Sequence, residues 1–268
     1  MHSNLIEGRN LSEAWAKAFL ACHSARGATI APAVVSFGVR EGDPNWTLEL
    51  PDVREALDRQ LDAFDVRSVG QSNIETVAGT IYPESIWRRC AGDRQELYRR
   101  YEAIWPRIKK CPANRYGVYF RRLTAFGQGK EKVNQLEKIL DAWSVGCHRH
   151  SALHAAIFDP FQDHSASRQR GFPCLQQVAF HPHGGNGRDG LSVVAFYATQ
   201  LLLEKAYGNY LGLYRLGKFM AGELDLRLVR VVCVASDLRR ADQKEGRGKE
   251  RYQALAEALE GILSNETA

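Results

Sequence analysis

The residue types in this chain that could take part in covalent chemistry begin with six cysteines, at positions 22, 90, 111, 147, 174 and 233. They are widely scattered, and no two of them form the Cys-x-x-Cys pair that is typical of zinc sites and redox motifs. Thiols with this spacing are typical of a reducing compartment, where most of them pack as small apolar side chains. We therefore expect free thiols, a cytoplasmic protein, and a chemical role for one or two cysteines at most.

Histidines are the second group with possible chemistry, because the pattern His-x-His occurs twice, at 148 and 150 and again at 181 and 183. Paired histidines can bind a metal ion, but a complete site needs further ligands at matching spacing. Neither pair is accompanied by a carboxylate or a cysteine at such a spacing. We expect no metal site and interpret these residues as surface or hairpin histidines.

The charge pattern is basic, with a formal net charge of +5 and basic pairs at 88–89, 99–100, 109–110, 121–122 and 239–240. Such an excess attracts anions, including nucleic acid, although paired charges are also typical of solvated helix faces. No zinc finger, KH glycine loop or RNP motif accompanies the pairs, so a nucleic-acid partner stays possible without a motif to support it. No apolar run approaches the roughly 18 residues that span a bilayer, and we expect no membrane partner.

The elements that must position these side chains follow from hydrophobic periodicity. Helical spacing predicts helices over 11–23, 51–64, 94–108, 130–143, 201–221 and 252–263. Strand patterns occupy 31–38, 151–158, the segment after Cys174, 191–197 and 224–234, with a hairpin loop at 181–190. The helix over 201–221 is apolar on several faces, which predicts a central, buried position. We find no internal repeat and no linker, so we expect one α+β domain over residues 1–268.

Several short motifs occur in the order that is found in the thymidylate synthase and pyrimidine hydroxymethylase superfamily. Pro173-Cys174 matches the nucleophile of that family, and Tyr207-Gly-Asn209 matches the segment whose asparagine reads the pyrimidine edge. Tyr116-Gly117 resembles the Tyr-Gly element near the folate, and Arg149-His150 falls where the family has paired arginines. The likeness is strongest over about residues 115–236. The chain therefore resembles a divergent member of this superfamily.

The resemblance implies a thymidylate-synthase-like fold, with a mixed twisted sheet, a central buried helix and a sheet face used for dimerisation. It implies a homodimer that transfers a one-carbon unit from 5,10-methylenetetrahydrofolate to carbon 5 of a pyrimidine nucleotide or modified nucleoside. Cys174 would add to carbon 6, and Glu75, which can be aligned with the catalytic glutamate, would move protons. The Asn209 amide would stabilise charge on the ring. The further substrate-binding residues implied are Tyr116, Arg149, His150 and Thr199.

The chain also departs from the family pattern in ways that bear on its substrate. The Gln-Arg-Ser that holds a substrate phosphate falls on Tyr197-Ala198-Thr199, so an arginine is replaced by Ala198. The His-x-Tyr that grips the ribose has no counterpart, and the last residues lack the hydrophobic clamp over the folate. These losses argue against ordinary dUMP. They favour hydroxymethylation over reductive methylation, because water can then reach the site.

A second interpretation is a non-catalytic protein that keeps the fold and binds a nucleotide or nucleic acid. The substitution at Ala198 and the missing His-x-Tyr favour this interpretation. Retention of Pro173-Cys174 and Tyr207-Gly-Asn209 favours the enzyme, because a scaffold has no physical need for those residues.

Overall fold

The computed structural model describes residues 4–63, 73–129, 131–146, 149–166, 172–184, 189–240 and 249–266. The strands in these ranges are β1 (Leu5–Gly8), β2 (Thr29–Ile30), β3 (Ala33–Gly38), β4 (His154–Ala156), β5 (Leu175–His183), β6 (Gly190–Tyr197), β7 (Gln200–Leu201), β8 (Leu228–Ala235) and β9 (Leu238–Arg239). The helices are α1 (Leu11–Ser24), α2 (Pro51–Ala63), α3 (Ile74–Ile81), α4 (Glu84–Trp87), α5 (Arg94–Ile108), α6 (Tyr119–Thr124), α7 (Gln135–Ser144), α8 (Pro160–Asp163), α9 (Tyr207–Glu223) and α10 (Gln253–Asn265).

The main sheet has the strand order β1-β3-β8-β6-β5-β4. The β1–β3 and β6–β8 pairs are parallel, whereas β3–β8, β5–β6 and β4–β5 are antiparallel. A small second sheet joins β2, β9 and β7. The chain thus has the α+β class with a mixed sheet that the sequence predicts.

One face of the main sheet is packed against helices. Residues that alternate along the strands point to this face and are buried, among them Val35, Val178, Val193 and Val231. Helix α9 lies against this face, where the missing side chain of Gly217 makes room for Val193 and Leu228. The helix is buried on most of its surface. The predicted central, buried helix is confirmed.

The opposite face of the main sheet carries side chains that are exposed or half-buried. Phe196 is 36 % exposed, Val194 and Val232 are half-buried, and Gln177 and His181 are exposed. Apolar and polar groups are therefore mixed on a flat surface that spans the central strands.

Local capping explains several helix boundaries. The side chain of Asn10 accepts a hydrogen bond from the Glu13 amide and begins α1. The prediction of a helix from residue 130 is wrong at its start, because Asn134 caps α7 and Val133 pairs with Phe126 in a β-bridge. Residue 130 itself lies outside the described residues.

Three further boundaries differ from the prediction. The strand predicted over 151–158 is limited to β4, because His150–Ala152 form a 3₁₀ turn before it. The strand predicted from 224 begins at Leu228, because the chain leaves α9 through a turn in which Asp225 adopts a φ of 57°. The helix predicted from 201 begins with a π-helical turn over Leu202–Ala206 before α9.

Among the described residues, no helix is both long enough and apolar enough to cross a membrane.

Candidate functional site

Cys174 lies immediately before β5, and hydrogen bonds fix the backbone around it. Its carbonyl oxygen accepts from the Ala198 amide at 2.9 Å, which extends the β5–β6 ladder by one step. The Gln176 side-chain amide donates to the Pro173 carbonyl at 2.6 Å and to the Cys174 carbonyl at 3.3 Å. Hydrogen bonds therefore hold the backbone of Cys174 at the point where β5 begins.

The Cys174 thiol is half-buried and packs against the hydrophobic core. Burial raises the pKa of this thiol, and the nearby Lys205 ammonium counteracts the shift only in part. Burial also lowers the pKa of Lys205, against the effects of Glu204 and of Cys174 itself. At neutral pH the thiol is therefore protonated, and Lys205 is the group that stabilises its thiolate when a proton is removed.

Sequence reasoning missed Lys205. The residue lies in the π-helical turn Leu202–Ala206, 31 positions after Cys174. The only local signal is a Glu-Lys pair within a run that is otherwise apolar, Leu-Leu-Leu-Glu-Lys-Ala. Its relation to Cys174 depends on how the helix that follows β7 packs against the strand end.

Two tyrosines complete the surroundings of the thiol, and neither was selected as a site residue from the sequence. The Tyr119 phenol lies against the backbone of Cys174 and Leu175, and its ring stacks on Phe172 with centroids 5.2 Å apart. Burial raises the pKa of Tyr119 and also that of Tyr197, whose electrostatic neighbours include Tyr119 and Cys174. The buried Tyr197 hydroxyl has no hydrogen-bond partner within the described part of the chain.

A third buried polar residue, Gln200, lies at the start of β7. Its side-chain oxygen accepts from the Tyr210 hydroxyl at 3.0 Å. Its amide nitrogen has no partner in the ranges that the structure describes. An unpaired buried donor costs about 1–3 kcal/mol, which a bound polar ligand would recover.

Asn209 is 4 % exposed on the first turn of α9. It follows Lys205 by four residues, the spacing that brings side chains to one side of a helix. Among the residues that the structure describes, none makes a hydrogen bond to the side-chain amide of Asn209. The sequence-predicted Asn209 thus follows Lys205 by about one helical turn, across the junction of the π-helical turn and α9.

Glu75 occupies the first turn of α3 and is held by two arginines. Arg215 Nη1 donates to Glu75 Oε2 at 2.8 Å, and Arg54 Nη2 lies 3.8 Å from Glu75 Oε1. The side chain lines a cleft of about 500 Å³. Cys174 is not among the described lining residues of that cleft, so Glu75 and the thiol do not share one cavity.

The cleft at Glu75 nevertheless borders the surroundings of the thiol. Val118 lines the cleft, and the next residue, Tyr119, contacts the Cys174 backbone. Ile104 and Ile108 give the cleft apolar surface, and the buried Tyr101 hydroxyl in its wall has no described hydrogen-bond partner. Apolar walls with a few polar groups are typical of sites for a flat organic ligand.

Tyr116 and Gly117 contact the nucleophile segment through Phe172. A side chain at Gly117 would come within 2.7 Å of the Phe172 ring, and its φ of +135° also favours glycine. The Tyr116 ring lies under the Arg115 guanidinium, 4.7 Å from the ring centroid. The structure therefore brings this predicted element to the Cys174 segment.

Arg149, His150 and Thr199 lie away from the helical side of the sheet. Arg149 and His150 are exposed, and His150 Nδ1 lies 3.1 Å from Nδ1 of His181, a residue on the open face of β5. Thr199 is half-buried beyond the end of β6, next to the exposed Ala198. Within one chain, no described contact joins these three residues to Cys174 or Lys205.

The histidine cluster does not form a metal site. The ring centroids of His150 and His181 are 4.7 Å apart, and those of His181 and His183 are 5.1 Å apart. In the described ranges, no group of three or more histidine, cysteine, aspartate or glutamate side chains has the arrangement to hold a metal ion. Burial, with His150 and His183 nearby, lowers the pKa of His181. His148 lies outside the described residues.

No model of a known protein family matches this chain, and a search of curated proteins found no match either.

Proposed function

We propose that this chain is a divergent thymidylate-synthase-like enzyme that transfers a one-carbon unit, more readily hydroxymethyl than methyl, to carbon 5 of a pyrimidine nucleotide or modified nucleoside. The observation that carries the proposal is the Cys174 thiol at the start of β5, where hydrogen bonds hold its backbone and the Lys205 ammonium acts on the thiol electrostatically. A structural cysteine needs no neighbouring cation. A nucleophilic cysteine needs one, because only its thiolate attacks carbon.

The first step would be addition of the Cys174 sulfur to carbon 6 of the ring. The new S–C6 bond takes the electron pair of the thiolate, and the C5–C6 double-bond electrons move toward the carbon 4 oxygen. Lys205 would stabilise the thiolate before attack. The Asn209 amide would donate to the ring as negative charge develops there.

Methylenetetrahydrofolate, when bound, supplies the one-carbon unit. The cleft at Glu75 fits a flat heteroaromatic group, because Ile104 and Ile108 offer apolar contact and the Tyr101 hydroxyl offers an unpaired polar atom. Glu75 would hold or release a proton at the boundary between this cleft and the thiol. Arg215 and Arg54 hold the Glu75 carboxylate in position.

The thymidylate synthase superfamily has a phosphate-binding arginine where this chain has Ala198. Its replacement is consistent with a different cation acting on the thiol. An arginine near the nucleophile would favour the thiolate and also bind a phosphate. Lys205 can replace the first effect, because it is coupled to the thiol electrostatically. It lies on the helical side of the sheet, whereas Ala198 is exposed. This exchange supports a substrate whose phosphate, if it has one, is bound differently from that of dUMP.

A homodimer belongs to the same proposal. The open face of the main sheet presents Phe196, Val194 and Val232 on a flat surface, which suits an isologous contact with a second copy. Arg149 and His150 border that face, where they could reach the partner's substrate. The free thiols Cys22, Cys90 and Cys111 support a cytoplasmic location.

The test is covalent trapping. The purified protein is incubated with methylenetetrahydrofolate and each of a set of 5-fluoropyrimidine nucleosides and nucleotides, and intact-mass spectrometry follows adduct formation. We expect an adduct with at least one of them, mapped to Cys174. Cys111→Ser, which removes an exposed thiol elsewhere, should form it equally, and Cys174→Ser should form none. If none of the pyrimidines gives an adduct, the enzymatic proposal is wrong.

A non-catalytic nucleotide-binding protein is the second candidate, and the raised pKa of the Cys174 thiol favours it. This candidate predicts that Cys174→Ser leaves pyrimidine nucleotide binding unchanged and that no adduct forms with the wild-type protein. Calorimetric titration of both proteins with nucleoside monophosphates distinguishes the two candidates.

A further inference from the structure

A second cleft, of about 430 Å³, lies between the end of α5, the start of α6 and the loop that leads to α7. Its lining contains five basic side chains: Lys109, Arg115, Arg121, Arg122 and Lys132. Among the described residues that line it, none is an aspartate or a glutamate. A concave surface lined by one sign of charge concentrates its field and attracts anions.

Two of these five cations already have an acidic partner. Arg121 pairs with Glu102 from outside the cleft, and Arg122 pairs with the buried Asp163 at 2.9 Å. Lys109, Arg115 and Lys132 form no ion pair with any residue in the described ranges. Three positive charges in the cleft are therefore not neutralised by any residue that the structure describes, and a bound anion would neutralise them.

Aromatic rings alternate with the cations along the cleft. The Arg121 guanidinium lies over the Trp105 ring at 5.3 Å, and Arg115 lies over Tyr116 at 4.7 Å. Gln128 and Gln162 add neutral hydrogen-bonding groups to the same lining. Basic side chains interleaved with aromatic rings are typical of surfaces that bind phosphates and stack bases at the same time.

We propose that this basic cleft binds the phosphate groups of nucleotide units, either as free nucleotides or as parts of a single strand. Its volume falls in the roughly 300–1,000 Å³ range of small-ligand sites, which suits one unit at a time. Arginine and lysine are the side chains that bind phosphate most strongly, and the neighbouring rings give a base a surface to stack on. Binding here does not require any chemistry at Cys174.

The basic cleft lies next to the segment that carries Cys174. Gly117 in its wall contacts Phe172, and the Arg122 guanidinium lies 5.4 Å from the centroid of the same ring. Phe172 precedes Cys174 by two residues. A nucleotide held in the cleft is thus adjacent to the segment that carries the thiol.

The experiment measures binding of a fluorescein-labelled deoxyuridine 12-mer by anisotropy at salt concentrations from about 50 to 200 mM. The test variant is Lys109→Gln/Lys132→Gln, which removes two exposed cations that have no described acidic partner. The matched control is Lys110→Gln/Arg26→Gln, which removes the same charge from exposed positions outside the lining. Thermal melting checks that both variants fold, and unlabelled UTP serves as the competitor and as a second probe.

We expect the test variant to bind the 12-mer about tenfold more weakly at the lowest salt concentration. Its plot of log affinity against log salt should be less steep by about 0.7 for each cation removed. The control should bind within twofold of the wild type, and Cys174→Ser should bind as the wild type does. If UTP binds with the same dependence on Lys109 and Lys132, free nucleotides are ligands, whereas an effect limited to the 12-mer identifies a strand. Equal losses in both double variants, or no binding of either probe to the wild type, would overturn the proposal.

Discussion

The reactivity of Cys174 depends on two opposing influences on one thiol. Burial favours the neutral form, and the Lys205 side chain favours the thiolate. The net direction is a pKa above the ordinary value, so the free protein holds the thiol in its unreactive form. A substrate that excludes water and brings its own donors and acceptors would change this balance in the site.

The first prediction concerns Lys205→Met, which keeps an unbranched side chain and removes the charge. Because the ammonium lowers the thiol pKa, its loss should raise that pKa further and reduce the thiolate fraction at pH 8. We expect alkylation of Cys174 by iodoacetamide to slow about three- to tenfold, since one pKa unit corresponds to a tenfold change in thiolate. Peptide mass spectrometry gives the rate at each cysteine separately.

Lys205→Arg is the matched control and should retain most of the rate, because it keeps the charge. The exposed Cys111 gives an internal reference that should not change in either variant. An unchanged Cys174 rate in Lys205→Met would show that the ammonium does not influence the thiol.

At the scale of elements, the contact between α3 and α9 determines how Glu75 and Asn209 are presented. A side chain at Gly208 would meet the Val77 side chain at 2.6 Å, and one at Gly212 would meet the Ala78 carbonyl oxygen at 2.8 Å. The two glycines let the helices approach closely along one side. The spacing of the helix that carries Asn209 from the helix that carries Glu75 therefore depends on the absence of two β-carbons.

The second prediction compares two glycine substitutions in α9. Gly212→Ala forces a methyl group against the backbone of α3 and should lower the free energy of unfolding by about 1–3 kcal/mol. Gly222→Ala lies in the same helix with open space around the new methyl group. It should raise the free energy of unfolding by up to about 1 kcal/mol, because alanine favours the helix. Urea denaturation measures both values, and equal effects of the two substitutions would contradict this account of the α3–α9 contact.

At the scale of the whole molecule, the two faces of the main sheet differ in kind. The inner face is covered by α1 and α9 and forms part of the core, whereas the outer face leaves Phe196 36 % exposed beside half-buried valines. His150, His181 and His183 gather near one edge of the outer face. A flat mixed surface of this kind suits a second copy of the chain better than water alone.

The third prediction is that Phe196→Glu disrupts the proposed homodimer. A carboxylate at this position would face its own copy across an isologous contact and would repel it. Sedimentation velocity should show a dimer for the wild type and a monomer for the variant, with unchanged circular dichroism. Phe161→Glu is the control, because Phe161 is 91 % exposed in α8, outside the sheet. It should leave the dimer intact, and a monomeric wild type would contradict the prediction.

Sequence patterns were sufficient for most of the longer elements but not for short ones such as β1, β7 and α6. Periodicity predicted α5 with its observed bounds, most of the buried helix α9 and the strand β5 that follows Cys174, because each pattern depends on neighbouring residues along the chain. It failed where a side chain or a turn overrode the periodicity, as at Asn134 before α7 and at Asp225 before β8. The α+β class followed from these local patterns.

Contacts between chemical groups that are distant in sequence depend on the tertiary fold. The coupling of Lys205 to Cys174, the binding of Glu75 by Arg215, and the gathering of Lys109 and Lys132 in one cleft all join residues that are distant in sequence or lie on different elements. Such meetings depend on helix packing and strand register, which no local pattern encodes. Short motifs led us to propose Cys174 as a nucleophile, whereas its electrostatic coupling to Lys205 became visible only in the folded chain.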